Sequence, residues 1–220
     1  MAPLTVTDMS RGRSLRVVIT AYAAMGLSGL LCGLFLRPWM ESTFPILPPS
    51  TVDVLMPGII PPFVCLSYLL VRIGFVPRLI VKKEVILYSF GGTVMAWFVV
   101  CMHTLTFGHG AISDLNIAGP YYYVNLFFLM IWAPLVEETI YRGYFFDILR
   151  QKLRTPFALL LSSLLFTLAH IDLSVGFEPN LAFIFLCSIV FSLVYVEGGL
   201  IASIWTHFFL SAYSVYVCSG

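Results

Sequence analysis

The chain has 220 residues, of which 60% are hydrophobic, 15% aromatic and 10% charged, with a formal net charge of +1. Soluble domains are about 25% charged and about 45–50% apolar. At a mean hydropathy of +0.95 there is too little polar surface to cover a water-soluble core. The aromatic content excludes a disordered chain, and the near-neutral charge gives nucleic acid no electrostatic footprint.

What remains is an all-α, polytopic membrane bundle whose first partner is the lipid bilayer. A span needs about 20 apolar residues, and the apolar runs predict about seven transmembrane helices. In chain order they cover 15–36, 54–75, 85–105, 121–150, 156–171, 181–196 and 200–218. The first run ends at a charged exit, Arg37, and is too long for a signal-peptide core, so it is expected to stay as the first membrane helix. The second is interrupted by Pro57, Pro61 and Pro62, and a stiff Pro-rich loop, 44–50, precedes it. Residues 1–120 read as an N-terminal three-helix membrane region and 121–220 as the remaining core, the two forming one integrated bundle.

Lys and Arg set the orientation. Arg11, Arg13 and Arg16 precede the first span, Arg78, Lys82 and Lys83 follow the second, and Arg150, Lys152 and Arg154 follow the fourth. These clusters share one side if every run crosses once, so the positive-inside rule puts the N-terminus in the cytoplasm. The five cysteines are scattered, without CxxC or zinc-ribbon spacing, and read as small hydrophobes.

An ionisable side chain at mid-span costs about 2.5–3.5 kcal/mol on insertion scales, so its default reading is functional. Glu137 and Glu138 in the fourth run, His170 at the end of the fifth and His207 in the seventh qualify; His103 and His109 read as interfacial. At about 1.5 Å per residue, Glu137 lies roughly 20 Å from Arg150, His170 roughly 24 Å from Arg154 and His207 roughly 15 Å from Glu197. The three fit one band within the bilayer. Glu137 and Glu138 project about 100° apart. Glu138 and Arg142 stand i,i+4, the favourable order for a helical ion pair, which leaves Glu137 facing a cavity. Pro134 can kink the helix one turn earlier.

A carboxylate and an imidazole around one water form a general-base pair, and a second histidine can donate to an oxyanion. The same residues, Glu137, His170 and His207, would also form a two-His, one-Glu zinc set, although HExxH is absent. Ser162, Ser163 and Ser211 offer hydroxyls, but no GxSxG accompanies them.

Residues 133–143, APLVEETIYRG, resemble the EExxxR motif of the CPBP family, the CAAX prenyl proteases and bacteriocin-processing proteins also called ABI proteins. Residues 166–170, FTLAH, resemble the family's FxxxH motif, and 199–207, GLIASIWTH, the lead-in to its HxxxN motif. The resemblance covers roughly 121–216 and implies an intramembrane endopeptidase, with a peptide or membrane-protein substrate that is lipidated in the CAAX case. It implies Glu137 as base, His170 as its partner, His207 as transition-state donor, and Glu138 and Arg142 as supporting residues. Four residues after His207 stands Ser211, where the family has asparagine. The resemblance implies no required cofactor; zinc on Glu137, His170 and His207 is the alternative. It places the protein in the plasma (inner) membrane if bacterial and in the endoplasmic reticulum if eukaryotic. Two other classes compete: a non-catalytic scaffold or immunity-type protein of the same fold, and a transporter using Glu137 as a proton site, against which the lack of related halves speaks.

Overall fold

The computed structural model describes residues 11–46, 49–73, 83–107, 122–171 and 179–218. Among them every regular element is a helix, and no strand occurs. In chain order they are α1 (Arg11–Leu31), π1 (Cys32–Leu36), α2 (Arg37–Thr43), α3 (Pro49–Ile73), α4 (Val85–Phe107), α5 (Tyr122–Phe127), π2 (Phe128–Trp132), α6 (Ala133–Glu138), π3 (Thr139–Phe146), α7 (Asp147–Arg150), α8 (Thr155–Leu168), α9 (Pro179–Gly198) and α10 (Leu200–Cys218).

The described residues of each of the seven predicted runs fall on helices, except that the fifth run passes beyond the end of α8 at Leu168. Leu15–Thr43, Val85–Thr106, Tyr123–Arg150 and Leu181–Gly198 are long and apolar enough to cross a bilayer. Ile59–Val71 and Thr155–Leu168 are apolar but shorter. The 14 residues of α8 rise only about 21 Å, short of the hydrocarbon thickness of about 30 Å. Outward-facing Leu27, Phe35, Phe90, Trp97, Leu105 and Phe157 are all exposed, which is the surface of a protein solvated by lipid. The protein is an integral membrane protein.

One expectation is corrected. Arg37 does not end the first helix: α1, π1 and α2 run on to Thr43, with Arg37 paired to Glu41 at 3.0 Å on the exposed face. The i,i+4 pair keeps both charges bonded within the helix. His103 packs inward near the end of α4. It is buried in α4, its ring 5.0 Å from that of Phe183. His109 lies outside the described residues, as does part of the 44–50 loop.

The fourth run is the hub. From Tyr122 to Arg150 it alternates α and π turns, so that six α-helical residues, Ala133–Glu138, stand between two wide segments. Pro134 opens α6 without an N–H, and its ring crowds the carbonyl four residues back; π2 widens the helix at that carbonyl. Such π segments cluster at functional sites. Every residue from Ile140 to Phe146 is buried, because helices pack around π3 on all sides. The Ser162 hydroxyl of α8 donates to Tyr141 O at 2.9 Å, and the Tyr141 hydroxyl meets Met25 Sδ of α1 at 3.9 Å. One core joins Ala21 and Met25 of α1, Leu69 of α3 and Phe145 of π3; a second joins Val100 of α4, Phe191 of α9 and Leu210 of α10.

α9 and α10 meet without a loop. Gly199 sits between them at φ 84°, a conformation that a side chain resists, and its N–H closes onto Tyr195 O at 2.9 Å. The chain reverses within one residue, so α10 lies back along α9 and sets His207 against Phe191.

Candidate active site

Three helical units bring the unusual side chains together. Glu137 Oε2 lies 4.0 Å from His170 Nε2 and 4.0 Å from His207 Nε2. The Glu137 side chain is 20% exposed, whereas Glu138 and Arg142 are 0% exposed. The adjacent glutamates therefore face different surroundings, as their angular separation requires.

Both imidazoles are held at their other nitrogen. His170 Nδ1 lies 2.8 Å from Phe166 O; a carbonyl only accepts, so Nδ1 carries the proton. His207 Nδ1 lies 2.9 Å from Glu138 Oε1, and an ionised carboxylate likewise only accepts. Both Nε2 atoms are then left toward Glu137. Aromatic rings fix the imidazole planes. Phe191 stacks on His207 at 4.5 Å and 18°, and Phe166 lies 4.6 Å from His170.

The Glu138–Arg142 ion pair is present at 3.0 Å, but it is part of a larger network. Glu138 Oε2 accepts from Ser203 Oγ. Arg142 Nη2 donates to Ser188 O at 2.9 Å and to Ser188 Oγ at 2.7 Å. The guanidinium lies between two rings, 4.7 Å from Phe166 and 5.3 Å from Phe191. Burying this pair is costly in itself, and the added donors, acceptors and cation–π contacts offset that cost.

Ser188 and Ser203 did not emerge from the sequence as site residues, although a signal existed. Ser203 precedes His207 by one turn on the same face, and Ser188 and Ser192 mark one stripe within the apolar middle of α9. Ser162 and Ser163 stand apart from the carboxylates, bonded to Tyr141 O and facing Ser192 Oγ at 3.5 Å. Cys32, Cys65 and Cys187 are buried and free.

A cavity of about 170 Å³ opens beside the histidines. His170, His207, Ser211 and Ser214 contribute its polar wall; Phe183 and Leu210 are among the apolar side chains that form the rest. Ser211 thus shares a cavity wall with His207, one turn away on α10, while the Ser214 hydroxyl is bonded to Leu210 O at 3.1 Å.

Among the described residues, no group of three His, Cys, Asp or Glu side chains is arranged to hold a metal ion. A tetrahedral zinc with donors at 2.0–2.1 Å sets them about 3.3 Å apart, closer than the two 4.0 Å gaps here. A water making two hydrogen bonds of about 2.8 Å spans gaps of 4 Å or more.

Residues 119–213 match the family model described as type II CAAX prenyl endopeptidase Rce1-like. No curated protein and no solved structure gives a significant match. The matched segment contains Glu137, Glu138, Arg142, His170, His207 and Ser211 together, and it begins just before the α5–α7 hub and ends within α10. Over residues 119–213, somewhat under half of the chain, the protein is therefore similar to the Rce1-like type II CAAX prenyl endopeptidases of the CPBP group.

Proposed function

We propose that the protein is an intramembrane endopeptidase that hydrolyses a peptide bond of a membrane-embedded or lipidated substrate with a water activated by Glu137 and His170. The observation that carries this reading is the convergence of two imidazole Nε2 atoms on one carboxylate oxygen, 4.0 Å from each, beside an apolar cavity inside a membrane protein.

The roles follow from the donors and acceptors. A water between Glu137 and His170 donates one hydrogen to Oε2 and the other to the bare Nε2 of His170, which aims its lone pair at the scissile carbonyl. Glu137 takes a proton as the water oxygen attacks the carbonyl carbon. The carbonyl oxygen becomes an oxyanion. His207 donates to it from Nε2, which requires the imidazolium form, since Nδ1–H already serves Glu138. Two carboxylates, Glu137 and Glu138, then balance two cations, Arg142 and His207. Glu137 returns its proton to the leaving amine as the carbon–nitrogen bond breaks. No step needs a metal or other cofactor; zinc on Glu137, His170 and His207 is the competing arrangement. The N-terminus lies in the cytoplasm in this reading, in the inner membrane of a bacterium or the endoplasmic reticulum of a eukaryote.

The experiment compares newly formed peptide termini in membranes carrying the parent protein or Glu137→Ala. Termini that vanish with Glu137 identify the substrate; identical patterns overturn the proposal. One observation favours a second reading, a non-catalytic scaffold or immunity-type protein: Ser211 stands where the family has asparagine. Such a protein would keep its partner bound, and its biological effect would survive Glu137→Ala.

A further inference from the structure

α10 reaches the Glu138 carboxylate at two points. His207 Nδ1 meets Oε1 at 2.9 Å, and one turn earlier the Ser203 hydroxyl meets Oε2. Ser203 and Glu138 are both fully buried. We propose that Ser203 is a positioning residue for His207, acting through Glu138. The inference rests on the reading of His207 as a working imidazole and goes beyond the motif residues.

The reason lies in what each neighbour of the ring can fix. Phe191, stacked at 4.5 Å and 18°, sets the plane of the imidazole. Stacking does not distinguish a ring from the same ring flipped by 180°, which exchanges nitrogens with carbons. The flip is decided by the hydrogen bond at Nδ1, and that bond needs Oε1 in place. Oε1 also accepts from Arg142 Nη1 at 3.0 Å, so this oxygen must face two donors at once. A glutamate carboxylate turns freely about its last bond, where the torsional preference is broad. Ser203 removes that freedom by holding Oε2. The Ser203 proton has a second acceptor in reach, Phe191 O at 3.0 Å, but an ionised oxygen is the stronger acceptor. Ser203 therefore locks the carboxylate, the carboxylate locks the ring, and Nε2 is held toward Glu137.

The test is spectroscopic and needs no substrate. The full chain, labelled with nitrogen-15 at histidine, is placed in lipid nanodiscs, and the His207 signal is identified by its loss in His207→Gln. In the parent, His207 gives one sharp Nδ1–H signal displaced by its hydrogen bond to Glu138. In Ser203→Ala that displaced signal weakens and broadens as the ring samples the flipped state and the bond to Glu138 is lost; in Ser203→Cys, with a weaker donor of similar size, the change is smaller. Ser162→Ala is the control. It removes an equally buried hydroxyl bonded to Tyr141 O and leaves the His207 signal unchanged. With a cleavage assay, Ser203→Ala lowers kcat on the order of ten-fold, as for a hydrogen bond to a charged group, with KM unchanged. A His207 signal in Ser203→Ala that matches the parent, or that changes no more than in Ser162→Ala, overturns the positioning role and leaves the proposed activity standing. Cleavage that persists in Glu137→Ala overturns the activity and leaves the positioning result intact.

Discussion

Glu138 holds His207 by Nδ1 at 2.9 Å while Glu137, the next residue, faces Nε2 of the same ring at 4.0 Å. Two consecutive glutamates thus address opposite nitrogens of one imidazole. One contact is a direct hydrogen bond in a sealed environment, and the other is a gap of about one water at a cavity. The division of labour comes from helix geometry, since neighbouring residues point about 100° apart.

In the proposed mechanism the exposed partner is the chemical one. Glu137→Ala and His170→Ala are each expected to lower cleavage by about 10²–10⁴, the usual worth of general acid–base catalysis. The His170 and Glu137 side chains are 34% and 20% exposed and neither is sealed in the core, so thermal unfolding of the purified variants should stay close to the parent. Full activity of Glu137→Ala on the native substrate would remove it as the base.

The buried partner should behave differently. Removing one member of a buried ion pair strands the other and costs about 3–5 kcal/mol. Glu138→Ala and Arg142→Ala are therefore expected to lose stability and expression along with activity. Arg142→Lys should not restore them. Lysine is a point charge, whereas Arg142 bonds Glu138 and Ser188 while lying between Phe166 and Phe191, a planar and multidentate task. Unfolding temperatures equal to the parent's in all three variants would show that the network adds nothing to the fold.

The seven apolar runs were legible because a lipid-facing helix must be apolar over its length, and that leaves a mark in composition alone. The convergence of Glu137, His170 and His207 was legible because helical rise converts residue number into distance along each helix. The network around Glu138 was not, because an i,i+4 spacing within one helix shows the Arg142 pair but not a third helix. Ser203 and His207 reach Glu138 only because Gly199 folds α10 back along α9. The two π segments that flank α6 were hidden as well. A wide turn leaves no periodicity signal in eight residues, and Pro134 alone suggests a kink at that place.

Close packing gives a prediction away from the site. A Cβ built at Gly92 would lie 2.3 Å from Val194 Cγ2 and 2.8 Å from Thr206 Oγ1, whereas at Gly91 nothing lies within 4 Å. Gly92→Ala should therefore force α4 away from α9 and α10 and cost about 1–3 kcal/mol, the usual range for overpacking. Gly91→Ala should be neutral or slightly stabilising, since alanine is the better helix former. Thermal unfolding of the two variants side by side checks this, and equal shifts would contradict the packing of these helices.

Metal dependence has a direct check. The 4.0 Å gaps around Glu137 exceed the spacing of tetrahedral zinc donors, about 3.3 Å, so the purified protein is expected to carry substoichiometric metal and to keep its activity under chelation. Near one equivalent of zinc, with chelator-sensitive activity restored by zinc, would assign Glu137, His170 and His207 as ligands.

Ser211 tests whether the third motif reaches the reacting carbonyl. It lies one helical turn beyond His207 and lines the same cavity, so a side chain there can share the oxyanion with Nε2 of His207. A serine offers one donor on a short arm. An asparagine amide reaches farther, and Ser211→Asn is expected to keep or raise turnover. Ser211→Ala should cost less than His207→Ala, which should fall in the range of about 10²–10³ known for well-placed oxyanion donors. The ordering matters more than the sizes. If Ser211→Ala is silent and Ser211→Asn is inactive, the serine is there to leave room, and the cavity at this position is shaped for a substrate group that asparagine would displace. If His207→Ala is silent too, the Glu138–Ser203 clamp holds a ring that does no chemistry, and the scaffold reading prevails.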